Sequence, residues 1–368
     1  MRVTVIGAGI IGLSTAWALT RRGHSVTVLE QYGIPNPLGS SVDQHRLIRY
    51  AYGGMAGYAA MVGPAYAAWD RLWDDLGRKH YVETGTLAIG GGDHEWLTQS
   101  AATLEASGVD VGWLSMAELE RRFPLLRSDG LERAFHLPSG GVLLADRIVE
   151  GMADHLRRSG AEVRTNSRVV SVDPDRAAAT LADGAAVEAD RIIVAAGPWI
   201  TALRPELAGR VTPSRQVICY LKPPVEQAAA WADMPMVLDI DPNRGFYTVP
   251  PVAGTGMKVG DHSFSLTGHP DRDREAASDE ADALLTACRN RFADFSGFEI
   301  DRLKTCFYTV EKEEKFVVEP LGGKGWVMTG FSGHGFKFGP LMGEAMAETL
   351  EGARDPATFT RWAAGEAA

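Results

Sequence analysis

Residues 1–31, MRVTVIGAGIIGLSTAWALTRRGHSVTVLEQ, decide the fold. Val3 to Ile6 is a short apolar run that reads as a buried strand. Gly7, Gly9 and Gly12 follow in G-x-G-x-x-G spacing, and a small-residue helical pattern then runs to Arg22, where Gly23 ends it. Val26 to Leu29 is a second strand, closed by Glu30. This order is that of a dinucleotide-binding unit. Gly7 permits the tight turn, Gly9 lets the backbone approach a pyrophosphate, and Gly12 lets helix and strand pack closely. The positive helix end faces the phosphates, and Glu30 is placed to accept hydrogen bonds from a ribose diol. Glycines at this spacing also serve tight packing alone, but here both strands, the helix and the acid are in register. NAD and FAD stay equally open.

The 368 residues allow two domains, each with its own core. Apolar content of 45% and charged content of 23% are those of an ordinary globular protein. A net charge of −10 argues against nucleic acid as a partner while leaving room for a locally basic pocket. No apolar run suggests a membrane span, and the N-terminus breaks into strand, turn and helix instead of forming a secretory signal. Cys219, Cys288 and Cys306 are odd in number and widely spaced, which indicates neither a disulfide framework nor a metal cluster. With no address signal at the C-terminus, a cytoplasmic setting is expected.

Further along, Arg46 to Tyr50 reads as helical or irregular, and Tyr58 to Leu76 as a helix whose aromatic stripe belongs to the core. A helix is expected from His94 to Ala106, and Ser115-Met-Ala-Glu118 is a capping box. The chain is strand-rich from Ala161, with Asp183-Gly184 as a hairpin turn. Arg191 to Ala196 is a buried strand ending at the Gly197 turn, suited to rejoin the first parallel sheet. Asp279 to Phe295 reads as one helix, and Pro340 opens the last long one.

Four constellations carry chemistry. Arg46 and Arg49, at i and i+3, project together if their segment is helical, and arginine binds carboxylates through two parallel hydrogen bonds. A lone R-x-x-R is more often the mark of a solvated basic edge. On an extended strand Lys258 and His262 share a face, with Asp261 on the opposite one, and Tyr247 lies in the strand before them. Such a pair buried on one wall would have depressed pKa values and would help keep a substrate amine neutral. Cys306, within Thr305-Cys-Phe-Tyr308, is either an inert core residue or, beside a cofactor edge, a thiolate able to form a bond. Gly330-Phe-Ser-Gly333-His-Gly335-Phe-Lys337-Phe-Gly339 lets a flat ligand approach the backbone and gathers positive charge before a helix.

Together these stretches resemble the monomeric sarcosine oxidase family of covalent-FAD amine oxidases, which includes N-methyltryptophan oxidase and belongs to the D-amino acid oxidase-like superfamily. The resemblance runs over nearly the whole chain, through VIGAGIIG, RLIRYAYG, GFYTVP and KVGDH, TCFYT and FVVEP, and GFSGHGFKFGP. It implies an α/β fold, α+β in its second part. A Rossmann-type FAD-binding domain (1–80, 141–210 and 303–368) is joined to a discontinuous substrate domain (81–140 and 211–302) on a mostly antiparallel β-sheet. It implies that Cys306 holds FAD through an 8α-S-cysteinyl thioether, that Arg49 and Lys337 bind the substrate carboxylate, and that Lys258 activates oxygen through a water at flavin N5. Arg46 would lie near the flavin ring and support its attachment. His262 would stand near the substrate amine, Tyr247 and Tyr308 would frame the cavity, and Val169 would touch adenine through its backbone. Gly7, Gly9, Gly12 and Glu30 would hold the ADP half, with Gly197, Gly333 and Gly335 also at the cofactor.

The implied reaction oxidises a secondary amine, an N-methyl or cyclic amino acid, to an imine with oxygen reduced to hydrogen peroxide. Partners are then a small amine and oxygen, and a monomer is expected. The pattern departs at Ser40-Ser41-Val42-Asp43, where the family carries a histidine pair, at Gly54 and Met55, where an acid is expected, and at Asp261, where the sarcosine enzymes tend to have tyrosine. These departures put sarcosine itself in doubt and keep a bulkier N-methyl amino acid or a pipecolate-type imino acid open. A flavin dehydrogenase with another acceptor, and a non-catalytic dinucleotide-binding protein, are the competing readings. The second of these predicts loss of Arg49, Lys258 or Lys337, and all three are present.

Overall fold

The computed structural model describes residues 1–92, 95–241 and 245–366. The Arg2–Ile6 strand pairs in parallel with Ser25–Leu29 on one side and Arg191–Val194 on the other. Glu162–Arg164 extends the sheet beyond Ser25–Leu29, while Gly325–Thr329 and then Val317–Leu321 extend it beyond Arg191–Val194. Only the last pairing is antiparallel. Inner strands covered on both faces need continuous apolar runs, and Val3, Val5, Val28, Ile192, Ile193 and Val194 are all buried. The strand that ends before Gly197 does rejoin this sheet.

The turn after the first strand works as its glycines require. Gly7 has φ +101°, and a Cβ there would stand 2.3 Å from the Ala195 carbonyl oxygen. A Cβ on Gly12 would meet the Gly7 carbonyl oxygen at 1.9 Å, so helix Ile10–Arg21 lies against the strand only because that side chain is absent. The final long helix, Gly339–Leu350, crosses it with equal closeness: a Cβ on Gly343 would come within 2.3 Å of Ser14 O. Helix Ala56–Leu76 closes the same layer, burying Tyr58, Met61, Val62, Trp69, Leu72 and Trp73 as its stripe predicts.

An eight-stranded sheet forms the second layer system. Its strand order is Glu299–Glu311, Val211–Lys222, Met257–Asp261, Phe246–Val249, Met236–Asp239, Thr86–Gly90, Arg133–Leu137 and Gly112–Leu114. Every neighbouring pair is antiparallel except Met236–Asp239 with Thr86–Gly90. Strand alternation assigns its faces. Phe246, Met257, Val259, Cys219 and Leu221 pack into a core with helix Asp282–Arg291, whereas Tyr247, Lys258, Ile218 and Cys306 line a cavity. The sheet is thus one wall of a site.

Two expectations are corrected, and a third is met over the described residues. Arg46–Ile48, expected to be helical or irregular, is a short strand, because its backbone is met by Gly141–Leu143, a partner too distant for local spacing to show. The helix expected over 279–295 is shorter: a 3₁₀ turn at Ser278–Ala281 leads into Asp282–Arg291, and the chain is extended at Phe292 and left-handed at Asp294. The helix expected from His94 runs Glu95–Ala106, and His94 lies outside the described residues. Among the described residues no helix is long and apolar enough to cross a membrane.

Candidate active site

Two cavities meet at the end of the first parallel sheet. One is lined by Gly7, Gly9, Glu30, Val169, Gly197 and Gly335, bringing together six of the positions singled out for a dinucleotide. The Glu30 carboxylate is buried and fixed: Oε2 accepts the Ala8 N–H at 2.8 Å, and Oε1 accepts Asn36 Nδ2 at 2.9 Å. Burial pushes its pKa up, against those hydrogen bonds. Ser41 Oγ accepts the Ile10 N–H at 2.9 Å, one of the free donors of the first helix turn. The groove fits the ADP half of FAD: a glycine turn at a helix N-terminus, a fixed carboxylate, and a backbone opening at Val169. Gly12 serves the fold alone and does not line it.

The second cavity has a volume of about 1160 Å³. Arg46, Tyr308, Ser332, Gly333 and Phe336 line both, so the two are continuous at the place where a flavin ring would meet substrate. Gly333 has φ +80°, and a Cβ there would lie 2.7 Å from the Tyr308 ring. Cys306 is buried on this wall, its Sγ 3.9 Å from Arg46 Nη2. Burial works against the Arg46 charge, but Asp43 and then Cys306 hold its pKa above the ordinary arginine value.

Arg49 and Lys337 converge here from opposite ends of the chain. Lys337 lies in the 3₁₀ turn Phe336–Phe338, held from behind by Trp69 Nε1, which donates to the Lys337 carbonyl at 2.7 Å. Its Nζ donates to the Tyr52 hydroxyl at 2.7 Å. Arg49 packs against Tyr52 and Trp96, with its guanidinium carbon 4.9 Å and 5.6 Å from the ring centres. Its Nη1 is buried without a hydrogen-bond partner among the described residues. Burial first, and Arg49 second, drive the Lys337 pKa well below the ordinary lysine value. His334, whose Nε2 contacts the Glu314 carbonyl at 3.0 Å, is held neutral with a pKa of about 3, by burial and then by Lys337. A buried polar group left unsatisfied is costly. Glu314, in the same cavity, acts on Arg49 at a distance, but neither cation forms an ion pair among the described residues. Two cations with free hydrogen-bonding capacity and no ion-pair partner there favour an anion.

Lys258 is 3% exposed and faces the same cavity. Its Nζ donates to Asp43 Oδ2 and to the His45 carbonyl, both at 2.9 Å. Tyr247 lies beside it, its ring centre 6.0 Å from Nζ. His262 also lines the cavity, its ring centre 6.0 Å from that of Tyr247. Enclosure, and then the Arg49 charge, pull the His262 pKa down to about 4, although its surface is open to the cavity. The imidazole is therefore neutral near pH 7. Lys258 and His262 do share a wall, but Asp261, expected on the opposite face, lines the cavity too.

Asp43, Tyr52, Trp96, Glu314 and His334 join the site without having been singled out by the sequence for a role in it. Tyr52 had a local signal, an aromatic residue just after the arginine pair. The others sit where they do through packing of segments remote in sequence.

A family model described as DAO, FAD dependent oxidoreductase, matches residues 2–349. Over 355 residues the chain is 27% identical to monomeric sarcosine oxidase from Bacillus sp. (strain B-0618), covering 94% of this chain and 91% of that protein. It is 28% identical over 351 residues to N-methyl-L-tryptophan oxidase from Salmonella arizonae, covering 94% and 93%. The fold superposes on the open form of NikD, an amino acid oxidase of nikkomycin biosynthesis, with a TM-score of 0.80 at 24% identity, covering 94% of this chain and 92% of that one.

Proposed function

The chain belongs to the FAD dependent oxidoreductase family and is a flavin-dependent amine oxidoreductase, and we propose that it oxidises a secondary amine bearing a carboxylate to an imine, with oxygen as the electron acceptor. FAD supplies the two-electron acceptor beside the amine carbon, and the electrons pass on to oxygen to give hydrogen peroxide.

The observation that carries this reading is the pair Arg49 and Lys337, two buried cations that form no ion pair among the described residues, on the wall next to the dinucleotide groove. A substrate carboxylate completes them, and the clamp orients the neighbouring C–H bond, which is positioning and not acid–base catalysis. Neutral His262 and Tyr247 face the amine and leave it uncharged, the form able to give up electrons. Arg46, at the junction of the two cavities, and Lys258, which shares the Asp43 carboxylate with it, hold positive charge where negative charge would gather during reduction of oxygen. Cys306 is the attachment point of FAD, with Arg46 beside its sulfur. Gly54, Met55 and Asp261, the positions that depart from the family pattern, all line this cavity, which favours an N-methyl or cyclic amino acid other than sarcosine. The groove-lining segments lie in 1–80, 141–210 and 303–368, the proposed FAD domain.

Two measurements test the reading. Acid denaturation of the purified protein should leave the yellow colour in the pellet, whereas colour in the supernatant removes Cys306 as the link. An amine screen with peroxide detection should find a carboxylate-bearing secondary amine that yields one peroxide per turnover. Turnover only with an artificial acceptor overturns the oxidase assignment.

A further inference from the structure

Asp43 is 2% exposed, and both its oxygens are saturated with donors. Oδ2 accepts Lys258 Nζ at 2.9 Å and Arg46 Nη1 at 2.6 Å. Oδ1 accepts the Tyr220 hydroxyl and the Gln44 N–H, with Lys304 Nζ at 3.5 Å. The backbone of Asp43 is tied in turn, its N–H donating to Asp146 Oδ1 at 2.7 Å. One carboxylate oxygen therefore bridges Lys258, which faces the second cavity, and Arg46, which lines both.

We propose that Asp43 is the positioning residue for Lys258: it holds that side chain charged and fixed beside Arg46, so that two cations persist where oxygen is to be reduced. This deepens the oxidase reading and rests on it for the use to which the charge is put.

The argument is electrostatic. An ammonium has three hydrogens. Lys258 gives two of them to Asp43 and to the His45 carbonyl, and its remaining one has no acceptor among the described residues and faces the cavity. Of the other groups around it, only Cys306 adds an influence in the same direction as Asp43, and a weaker one; the rest are the Arg46 guanidinium, the neutral His45 imidazole, the Tyr247 ring and, across the strand pair, Tyr220. Burial pulls the lysine toward its neutral form, Asp43 is the strongest influence against this, and Arg46 adds to the pull. Without the carboxylate, two cations would share a dry wall. The arginine keeps its proton, so the lysine would release its own.

The test uses the flavin-loaded protein labelled with ¹⁵N-lysine, in which a buried, hydrogen-bonded ammonium gives a slowly exchanging NMR signal. Absence of one signal in Lys258→Met assigns it. In the wild type this signal should be present at neutral pH. In Asp43→Asn it should vanish between about pH 6 and pH 8, and Asp43→Glu should retain it. Oxygen reoxidation of the reduced Asp43→Asn enzyme should slow at least about tenfold from pH 6 to pH 8, following the lost signal. Persistence of the Lys258 signal in Asp43→Asn over the wild-type pH range overturns the proposal. If that variant does not fold, a wild-type signal absent at neutral pH overturns it, and its presence there together with retention in Asp43→Glu supports it. The NMR arm needs no substrate: signals behaving as expected in a protein that no amine reduces would sink the oxidase reading and leave the role of Asp43 standing.

Discussion

Arg49 and Lys337 stand over one aromatic ring: the guanidinium carbon and the ammonium nitrogen each lie 4.9 Å from the centre of Tyr52. Neither forms an ion pair with an acidic side chain among the described residues. Like charges gathered this closely are held by the fold in expectation of a negative group, and each contributes a charge-assisted hydrogen bond of about 1.5–3 kcal/mol to it. Lys337→Met should therefore raise KM for the amine substrate by roughly 10- to 150-fold, with a smaller fall in kcat. Steady-state kinetics decide the point. An unchanged KM removes Lys337 from the clamp.

The same pair makes ligand binding pH-dependent. Burial and Arg49 depress the Lys337 pKa in the free protein, and a bound carboxylate raises it again by supplying the missing counter-charge. A group whose pKa rises on binding takes up a proton wherever the pH lies between its free and bound values. A carboxylate inhibitor lacking the amine should thus bind with proton uptake, more weakly as pH rises through that window. Calorimetry in two buffers of different ionisation enthalpy measures the uptake. It should disappear in Lys337→Met.

What local spacing encodes was legible in the sequence, and what long-range packing creates was not. Gly7, Gly9 and Glu30 are set by a turn, a helix start and a strand end within one short stretch, so their spacing alone places them in the groove. Arg46 and Arg49 were legible as a pair on the condition of a helical segment, but Arg46 lies in a strand. Both still line the cavity, Arg46 from the strand paired with Gly141–Leu143 and Arg49 from just beyond its end. Asp43 was visible only as a departure from a family pattern. Its partner Lys258 is 215 residues away, and Tyr52 is 285 residues from Lys337. No period or motif carries such a meeting, which exists only once the two sheets have packed.

Trp69 ties the clamp to the core. Its indole N–H donates to the Lys337 carbonyl at 2.7 Å while its ring is 1% exposed. Trp69→Phe keeps an aromatic ring but leaves that carbonyl without its donor, a cost of about 1–3 kcal/mol. Chemical denaturation should show a loss of this size, and kcat/KM should fall because the turn that carries Lys337 loosens. Full stability with full activity would show that the carbonyl finds another donor.

Acid should destabilise the fold before it titrates most carboxylates. His45 and His334 are buried neutral, each with a pKa of about 3, by burial first and by the neighbouring lysine, Lys258 or Lys337, second. In the unfolded chain a histidine titrates near 6.5. Between those values the unfolded state binds more protons than the folded one, so stability rises with pH across the window and falls as pH drops through it. Their contribution is complete above about pH 7 and is lost progressively toward pH 3, at up to about 1.4 kcal/mol per pH unit for each group. Asp43, whose pKa is held well below the ordinary carboxylate value by Lys258, Arg46 and Lys304 in spite of its burial, adds in the same direction at the acid end. Urea denaturation at pH 7, 6 and 5 should show a midpoint that falls with pH. His334→Gln, which keeps a side chain able to reach the Glu314 carbonyl (3.0 Å from His334 Nε2), should flatten that dependence. A midpoint independent of pH over this range would mean that the two imidazoles are reached by solvent in the folded protein and are not held neutral by its interior.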